Sequence, residues 1–389
     1  MELKPGDVIT IEPGELVAGG DALARVDRFP IFSSGLYPGD VARVRLVEVK
    51  KGFARAELVE LIAAGNERRA EPCPIAGQCG GCDWAALRLD RQLAAKRHIL
   101  LESLRRIGKF ESGSLPPIRI HPSPLNYRLR NRLHSDGQNI GFYARGSNRV
   151  VPLAPECEVV GPEVIASLGA LRAAAAEVAE DPGSIQIWET GSTLHVTSPG
   201  HPVELEVRAG SFRYSISTES FFQVNRHLLL TLISLLEKSV ESMRKRGSAV
   251  DLYAGVGFFT LPLAGLFQRV TGVEGAGASH RLARKNAAGN GKANIEVIGA
   301  SVEEYVRRMK TVDLIFVDPP RAGMQKSVVE AIAGHARERV CYLSCDPVTF
   351  ARDANRLTAR GWRLRSLDLV DLFPNTHHIE TFSSFERAG

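Results

Sequence analysis

Asp251-Leu252-Tyr253-Ala254-Gly255-Val256-Gly257 decides the fold of this chain. It completes an apolar run over 249–253 and passes into a helix-forming segment. A strand that ends in a glycine-rich turn and continues as a helix is the opening unit of an α/β sheet. Glycines at that turn let a ligand approach the backbone closely. Glu274 ends the next strand, 23 residues after Asp251, where an acid suits a ribose diol. A dinucleotide fingerprint wants a third glycine three residues after Gly257, and this chain has Thr260 there. The pattern is therefore a poor NAD site. S-adenosylmethionine carries no phosphate and fits it better. A plain structural turn would also explain the glycines taken alone.

Downstream of about residue 216 the same alternation repeats. A helix over 224–243 precedes strands at 249–253, 269–273, 295–298, 312–317 and 340–344, with helices between them. Alternation of this kind implies a parallel sheet covered on both faces. Active-site groups of such sheets gather at the carboxyl ends of the strands. Asp318-Pro319-Pro320-Arg321 ends one strand and Ser344-Cys345-Asp346-Pro347 the next, on one edge. A cysteine there faces the pocket and can act as a nucleophile if its pKa is lowered. Cys341 sits within Val340-Cys341-Tyr342-Leu343 and reads as a core thiol.

Upstream the period changes. Residues 1–62 hold roughly five short strands with tight turns, the pattern of an OB-type barrel that binds single-stranded nucleic acid or of a generic small barrel. Residues 63–215 form a separate stretch: an irregular segment over 65–83, a helix over 84–107, then short strands with an alanine-rich helix near 164–179. The run Tyr127-Arg128-Leu129-Arg130-Asn131-Arg132 puts basic side chains on alternate positions, as one face of a strand would, either toward RNA or toward solvent.

Composition excludes the extremes. The chain has 389 residues, 44% hydrophobic and 24% charged, with a net charge of +5. These values rule out collagen, coiled coil and wholesale disorder, and the mild positive charge permits a polyanionic partner without demonstrating one. No basic-then-apolar leader opens the sequence and no run of 18 apolar residues occurs, so a cytoplasmic protein with no membrane partner is expected. Six cysteines in a reducing compartment call for metal, catalysis or burial. Cys73, Cys79 and Cys82 are spaced C-x5-C-x2-C, and Cys157 follows 75 residues after Cys82. Four thiols suit tetrahedral zinc or a [4Fe–4S] cluster, and spacing alone leaves the two level.

Taken in order, these motifs resemble the RNA (uracil-5-)-methyltransferases, and the resemblance covers essentially the whole chain. Phe221-Phe222-Gln223-Val224-Asn225, Asp251 to Gly257, Asp318-Pro319-Pro320, Ser344-Cys345-Asp346-Pro347 and Pro374-x-Thr376-x-His378-x-Glu380 match the family's motifs. The resemblance implies a class I, Rossmann-like methyltransferase domain over 216–389. It implies an OB-like TRAM barrel over 1–62 and a small α+β central domain over 63–215. It makes Cys73, Cys79, Cys82 and Cys157 ligands of a [4Fe–4S] cluster. It carries over Gln223, Tyr253, Glu274, Asp318 and Ser301 as S-adenosylmethionine contacts, although Ser301 stands where the family has an asparagine. Phe258 departs from the pattern in the same way.

The implied chemistry is concrete. Uracil C5 is a weak nucleophile until a thiolate adds to C6, and Cys345 is the matching thiolate. C5 then takes the sulfonium methyl group. Glu380 is implied as the base that removes the C5 proton and lets the cysteine leave. The uridine must be unpaired or flipped out. Barrel and cluster together point to 23S rRNA. A tRNA uridine-54-type methyltransferase is the alternative within the class, and a non-catalytic RNA-binding iron–sulfur protein is the alternative outside it. A monomer is expected.

Overall fold

The computed structural model describes residues 3–111, 113–177, 184–198 and 200–388. An eight-stranded sheet organises the carboxyl half. Its order is Ile295–Ile298, Arg269–Val273, Ser248–Leu252, Val312–Val317, Ala336–Ser344, Glu380–Arg387, Trp362–Val370 and Ile118–His121. The first five strands are parallel. Glu380–Arg387 runs antiparallel between its two neighbours.

Side chains along these strands alternate between two cores, as the pleat requires. Ile315, Val317, Val340 and Tyr342 pack toward the helices Lys326–His335, Pro347–Thr358 and Leu89–Arg106. Leu314, Phe316, Cys341 and Leu343 pack toward the helices Leu229–Val240 and Thr260–Leu266. The strand order reverses between Ser248–Leu252 and Val312–Val317. That switch point opens a crevice at the carboxyl edge.

The amino-terminal barrel has six strands, in the order Val8–Ile11, Val41–Val49, Ala54–Ala63, Phe29–Ser33, Ala22–Val26 and Glu15–Leu16. The strand beyond the expected five is among those the turn signals hid. Asp27 and Arg28 both adopt positive φ (49° and 70°), the geometry of a tight hairpin, without a glycine to announce it.

The central segment is not self-contained. Ile118–His121 pairs in parallel with Trp362–Val370 at the edge of the large sheet. The helix expected at 84–107 is Leu89–Arg106, and its buried face joins the barrel core to the large sheet. A second sheet, in the order Val150–Pro152, Ile140–Tyr143, Arg130–Ser135, Ser184–Thr190 and Thr193–Thr197, carries its own core. The alanine-rich helix is two pieces, Pro162–Ala166 and Leu168–Glu177, and positions 178–179 of that expectation lie outside the described residues.

The helix expected at 224–243 is shorter, Leu229–Val240. Val224 is held extended, because its carbonyl accepts the Leu129 N–H at 2.8 Å. Asn225 Oδ1 then accepts the His227 and Leu228 N–H groups at 3.0 and 3.2 Å ahead of the first helical turn. The basic run 127–132 alternates as expected, but two of its arginines face protein. Arg130 lies 5.3 Å over the Trp188 ring and Arg128 5.3 Å over Phe142. Arg132 is the exposed one.

Candidate active site

The crevice is built at strand ends. Asp251 closes its strand with its side chain buried and accepts the Thr260 hydroxyl at 2.5 Å. Tyr253 follows at φ 62°, an uncommon conformation for a side chain of that size, of the kind that concentrates at functional sites. Gly255 and Gly257 also have positive φ (56° and 88°), which is why glycine is needed there. Glu274 accepts the N–H groups of Gly255 at 2.8 Å and of Ala276 at 2.7 Å. Those bonds fix its carboxylate beside the glycine turn, where a diol could still reach the remaining lone pairs.

Asp318 caps the neighbouring strand, and Gln223 donates to its Oδ2 at 3.3 Å. Gln223 is itself buried. Ser301 is occupied differently. It caps the helix Val302–Tyr305 in a reciprocal capping box with Glu304, and its hydroxyl lies 2.8 Å from Glu304 Oε2.

The second half of the crevice lies one strand further on. Cys345 follows Ala336–Ser344, and Glu380 begins the antiparallel strand whose next residue, Thr381, pairs with Ser344. Sheet register thus brings thiol and carboxyl together, although 35 residues separate them in sequence. Glu380 is 5% exposed.

Burial and mutual repulsion dominate the electrostatics. Burial pushes Asp251 up to about 7, and burial with the Asp251 charge pushes Asp318 up to about 8. Glu380 is held well above the ordinary carboxylate range by burial and then by Asp318. The Cys345 thiol is pushed up to about 12 by burial, then by Glu380 and Asp318. Arg321 is the one nearby cation that pulls Cys345 and Glu380 the other way. The condition set by the sequence, a lowered thiol pKa, is therefore not met in the free protein. A positively charged ligand in this crevice would relieve the repulsion and favour the ionised acids.

Three residues near these groups had no assigned role in the sequence reading. Arg321 completes Asp-Pro-Pro-Arg, and its guanidinium lies 3.3 Å from the His378 ring nitrogen Nδ1. His378 precedes Glu380 by two residues, and burial holds it down to about 4, so it is neutral. Phe221, two residues before Gln223, is 63% exposed, an unusual state for a phenylalanine. Position within the motifs is the signal that could have singled them out.

Cys73, Cys79, Cys82 and Cys157 line one cavity with the apolar Phe142, Leu153 and Val159 and the polar Glu158 and Asn375. The Gly81 N–H donates to Cys79 Sγ at 3.3 Å, and Arg145 donates to the carbonyls of Cys79 and Cys82. Burial raises the Cys73, Cys79 and Cys82 thiols, and neighbouring thiols raise them further. The donor set suits a soft metal or an iron–sulfur cluster. Among the described residues no three His, Cys, Asp or Glu side chains converge as a metal-ion site. Cys341 is fully buried with its Sγ 3.1 Å from Ser239 Oγ, a core thiol as expected. Among the described residues no helix is long and apolar enough to cross a membrane.

Known proteins are similar to this chain in sequence and fold. Residues 200–387 match the family described as tRNA (Uracil-5-)-methyltransferase, and residues 3–59 match the TRAM domain. The 23S rRNA (uracil(1939)-C(5))-methyltransferase RlmD of Edwardsiella ictaluri is 32% identical, over 98% of this chain and 96% of that protein. An uncharacterized RNA methyltransferase of Gloeobacter violaceus is 30% identical, over 99% of this chain and 98% of its own. Among solved structures, the Pyrococcus abyssi tRNA (uracil-54, C5)-methyltransferase in complex with S-adenosyl-L-homocysteine superposes with a TM-score of 0.75. It has 24% identity and covers 97% of this chain and 100% of that one.

Proposed function

Because the chain belongs to the RNA (uracil-5-)-methyltransferase family and methylates uracil C5 with S-adenosylmethionine, we propose that its target is an unpaired or flipped uridine of 23S rRNA and that Cys345 and Glu380 carry the chemistry. The observation that carries the assignment is the register that sets Glu380 beside Cys345 at the carboxyl edge of the sheet that also bears the glycine turn. Cys345 gives its proton to water and adds to C6 as the thiolate, and the C5–C6 π pair moves into the ring as an enolate. The resulting enolate attacks the sulfonium methyl through C5, and neutral S-adenosylhomocysteine departs. Glu380 in its ionised form then takes the C5 proton, and the C6–S bond breaks to restore the ring.

Asp318, held by Gln223, faces the donor. Glu274 takes the ribose diol. Tyr253 and Ser301 border the remaining contacts. Phe221 offers a free aromatic face for stacking an unpaired base. Cys73, Cys79, Cys82 and Cys157 would hold a [4Fe–4S] cluster. Bound there, it would supply a structural crosslink between the 73–82 loop and Cys157, outside the methyl-transfer steps. Iron content and broad absorbance near ~400 nm are the expected signs, and stoichiometric zinc in colourless anaerobic protein would overturn the cluster. All the residues invoked lie on one chain, so a monomer suffices. The free cysteines fit a reducing compartment, and we place the reaction in the cytoplasm.

The decisive experiment maps 5-methyluridine by mass spectrometry in rRNA and tRNA from a deletion strain. Loss from 23S rRNA alone is expected. Loss from tRNA alone would favour the tRNA reading, which the Pyrococcus abyssi likeness keeps in view. Cys345→Ser should abolish methyl transfer, and undiminished turnover would remove Cys345 from the mechanism.

A further inference from the structure

Residues 371–379 connect Val370 to Glu380, and those two residues pair directly in the sheet. The intervening strap is thus a closed loop whose body reaches away from the sheet toward the cysteine-bearing segment. Its anchors come from that side. Lys96, fully buried on the helix Leu89–Arg106, donates to Asp371 Oδ1 at 2.6 Å and to the Phe373 carbonyl at 3.0 Å. Tyr127 donates its hydroxyl to the Pro374 carbonyl at 3.4 Å. His377 Nδ1 lies 2.6 Å from Asp83 Oδ2.

Asn375 is the most heavily bonded residue of the strap. It is 1% exposed and has φ 64°, a left-handed conformation that asparagine tolerates better than most residues. Its N–H donates to Gln92 Oε1 at 2.8 Å, and its carbonyl accepts the Trp84 N–H at 3.0 Å. Its Oδ1 accepts from Gln92 Nε2 and Arg69 Nη2, both at 3.0 Å. Its Nδ2 donates to Glu158 Oε2 at 2.8 Å. Glu158 adjoins Cys157, and Asn375 itself lines the cavity of the four thiols. Its Nδ2 ties the strap to the cavity wall through Glu158, and its Oδ1 ties it to the central segment through Gln92 and Arg69.

We propose that Asn375 is a positioning residue: through Gln92, Arg69, Trp84 and Glu158 it fixes the path of the 371–379 strap, and so sets Glu380 in reach of the C5 proton. The inference rests on Glu380 as the base, and it couples the cysteine cavity to proton removal without any contact between Asn375 and substrate. A slack strap moves Glu380 and leaves the glycine turn, Glu274 and Asp318 in place. The defect is therefore selective, since it slows release of the methylated RNA from Cys345 and spares donor binding.

The test uses the full chain with an RNA fragment carrying the mapped uridine. Asn375→Gly keeps the backbone conformation and loses the side-chain bonds. Asn375→Asp keeps the acceptor for Gln92 and Arg69 but sets a carboxylate against Glu158 Oε2, a second route to a slack strap, by repulsion, should the glycine variant fold poorly. Denaturation-resistant RNA–protein adduct is quantified with time, S-adenosylmethionine affinity is measured by calorimetry, and hydrogen exchange is followed at residues 376–382. Expected are release slowed by about 10- to 100-fold, donor affinity within about twofold of the parent, and faster exchange confined to that stretch, with both Asn375 variants shifted in the same direction. Parent-like release, or donor affinity lost in parallel with release, overturns the inference. Glu380→Gln is run alongside. If it traps adduct while the Asn375 variants do not, only the role of Asn375 fails. If it traps none, the assignment of Glu380 fails and takes this inference with it.

Discussion

Asp318 sits where the methyl donor is expected and yet is held protonated near neutrality. Its raised pKa has a thermodynamic sign. The folded state keeps a proton that the unfolded chain releases at the ordinary carboxylate pKa, so the contribution is present below about 4 and is lost as pH rises toward 8. Asp318→Asn removes that loss. It should raise the unfolding midpoint at pH 8, at about 2–4 °C per kcal/mol, while cutting methyl transfer by roughly 100-fold or more. A lower midpoint would contradict this reading. A sulfonium ligand favours the ionised acids, so S-adenosylmethionine should bind more tightly as pH rises through the values of Asp251 (about 7) and Asp318 (about 8), with proton release. Calorimetry in two buffers of different ionisation enthalpy measures that release, and zero release would contradict the coupling. Cys345, at about 12, should alkylate at roughly one-thousandth the rate of an ordinary cysteine at pH 8 in the free protein, read by mass spectrometry of its peptide. The positions of Asp318 and Cys345 were legible because strand ends carry chemistry. Their protonation was not, since it depends first on burial in the folded sheet and then on Asp251 and Glu380 brought alongside.

At the scale of elements, the strands at 269–273, 295–298 and 312–317 coincide with expectation, because each is a short β-branched or apolar segment set between helical stretches in a repeating strand–helix alternation. Elements defined by partners rather than by pattern were harder to see. Ile118–His121 belongs to the large sheet although 126 residues separate His121 from Ser248, the first residue of the next strand of that sheet in the chain. What holds it there is lateral pairing and one polar cluster. Asp368 accepts Arg119 Nε and Nη2, both at 2.7 Å, and lies 2.8 Å from His121 Nε2. Those partners hold Asp368 below the usual carboxylate range despite its burial. Its contribution is therefore present above the ordinary carboxylate pKa and is lost as pH falls through the lowered value. Asp368→Ala should loosen this edge strand, at a cost of about 1–3 kcal/mol. Faster hydrogen exchange over 118–121, with the central parallel strands unchanged, is the expected signature, and unchanged exchange there would refute it.

At the scale of the molecule, the three expected segments share their interior. Ile99, Leu100 and Leu104 on the helix Leu89–Arg106 belong to one continuous core with Ile31 and Val44 of the barrel and Phe350 and Ala354 of the large domain. Trp84 Nε1 donates to the Gly20 carbonyl at 3.1 Å, a further tie between barrel and central segment. Changes of period and motif order led to an expectation of three parts, but no local pattern could announce that their cores fuse. Removal of residues 1–62 should accordingly destabilise the remainder instead of freeing a catalytic domain. A lower unfolding midpoint with exposed apolar surface is expected, and an unchanged midpoint would show that the barrel is an independent module.

The antiparallel strand that begins at Glu380 enters the sheet between two strands that precede it in the chain. Until it is synthesised, the sheet is two fragments: five parallel strands bearing the donor crevice, and the pair formed by Trp362–Val370 and Ile118–His121. A nascent chain can thus complete its five parallel strands and glycine turn before it possesses Glu380, and the same late strand that closes the sheet delivers the proposed base. If Glu380 is that base, translation order makes structural closure and chemical competence one event, and a chain interrupted upstream of residue 380 is left both open and unreactive.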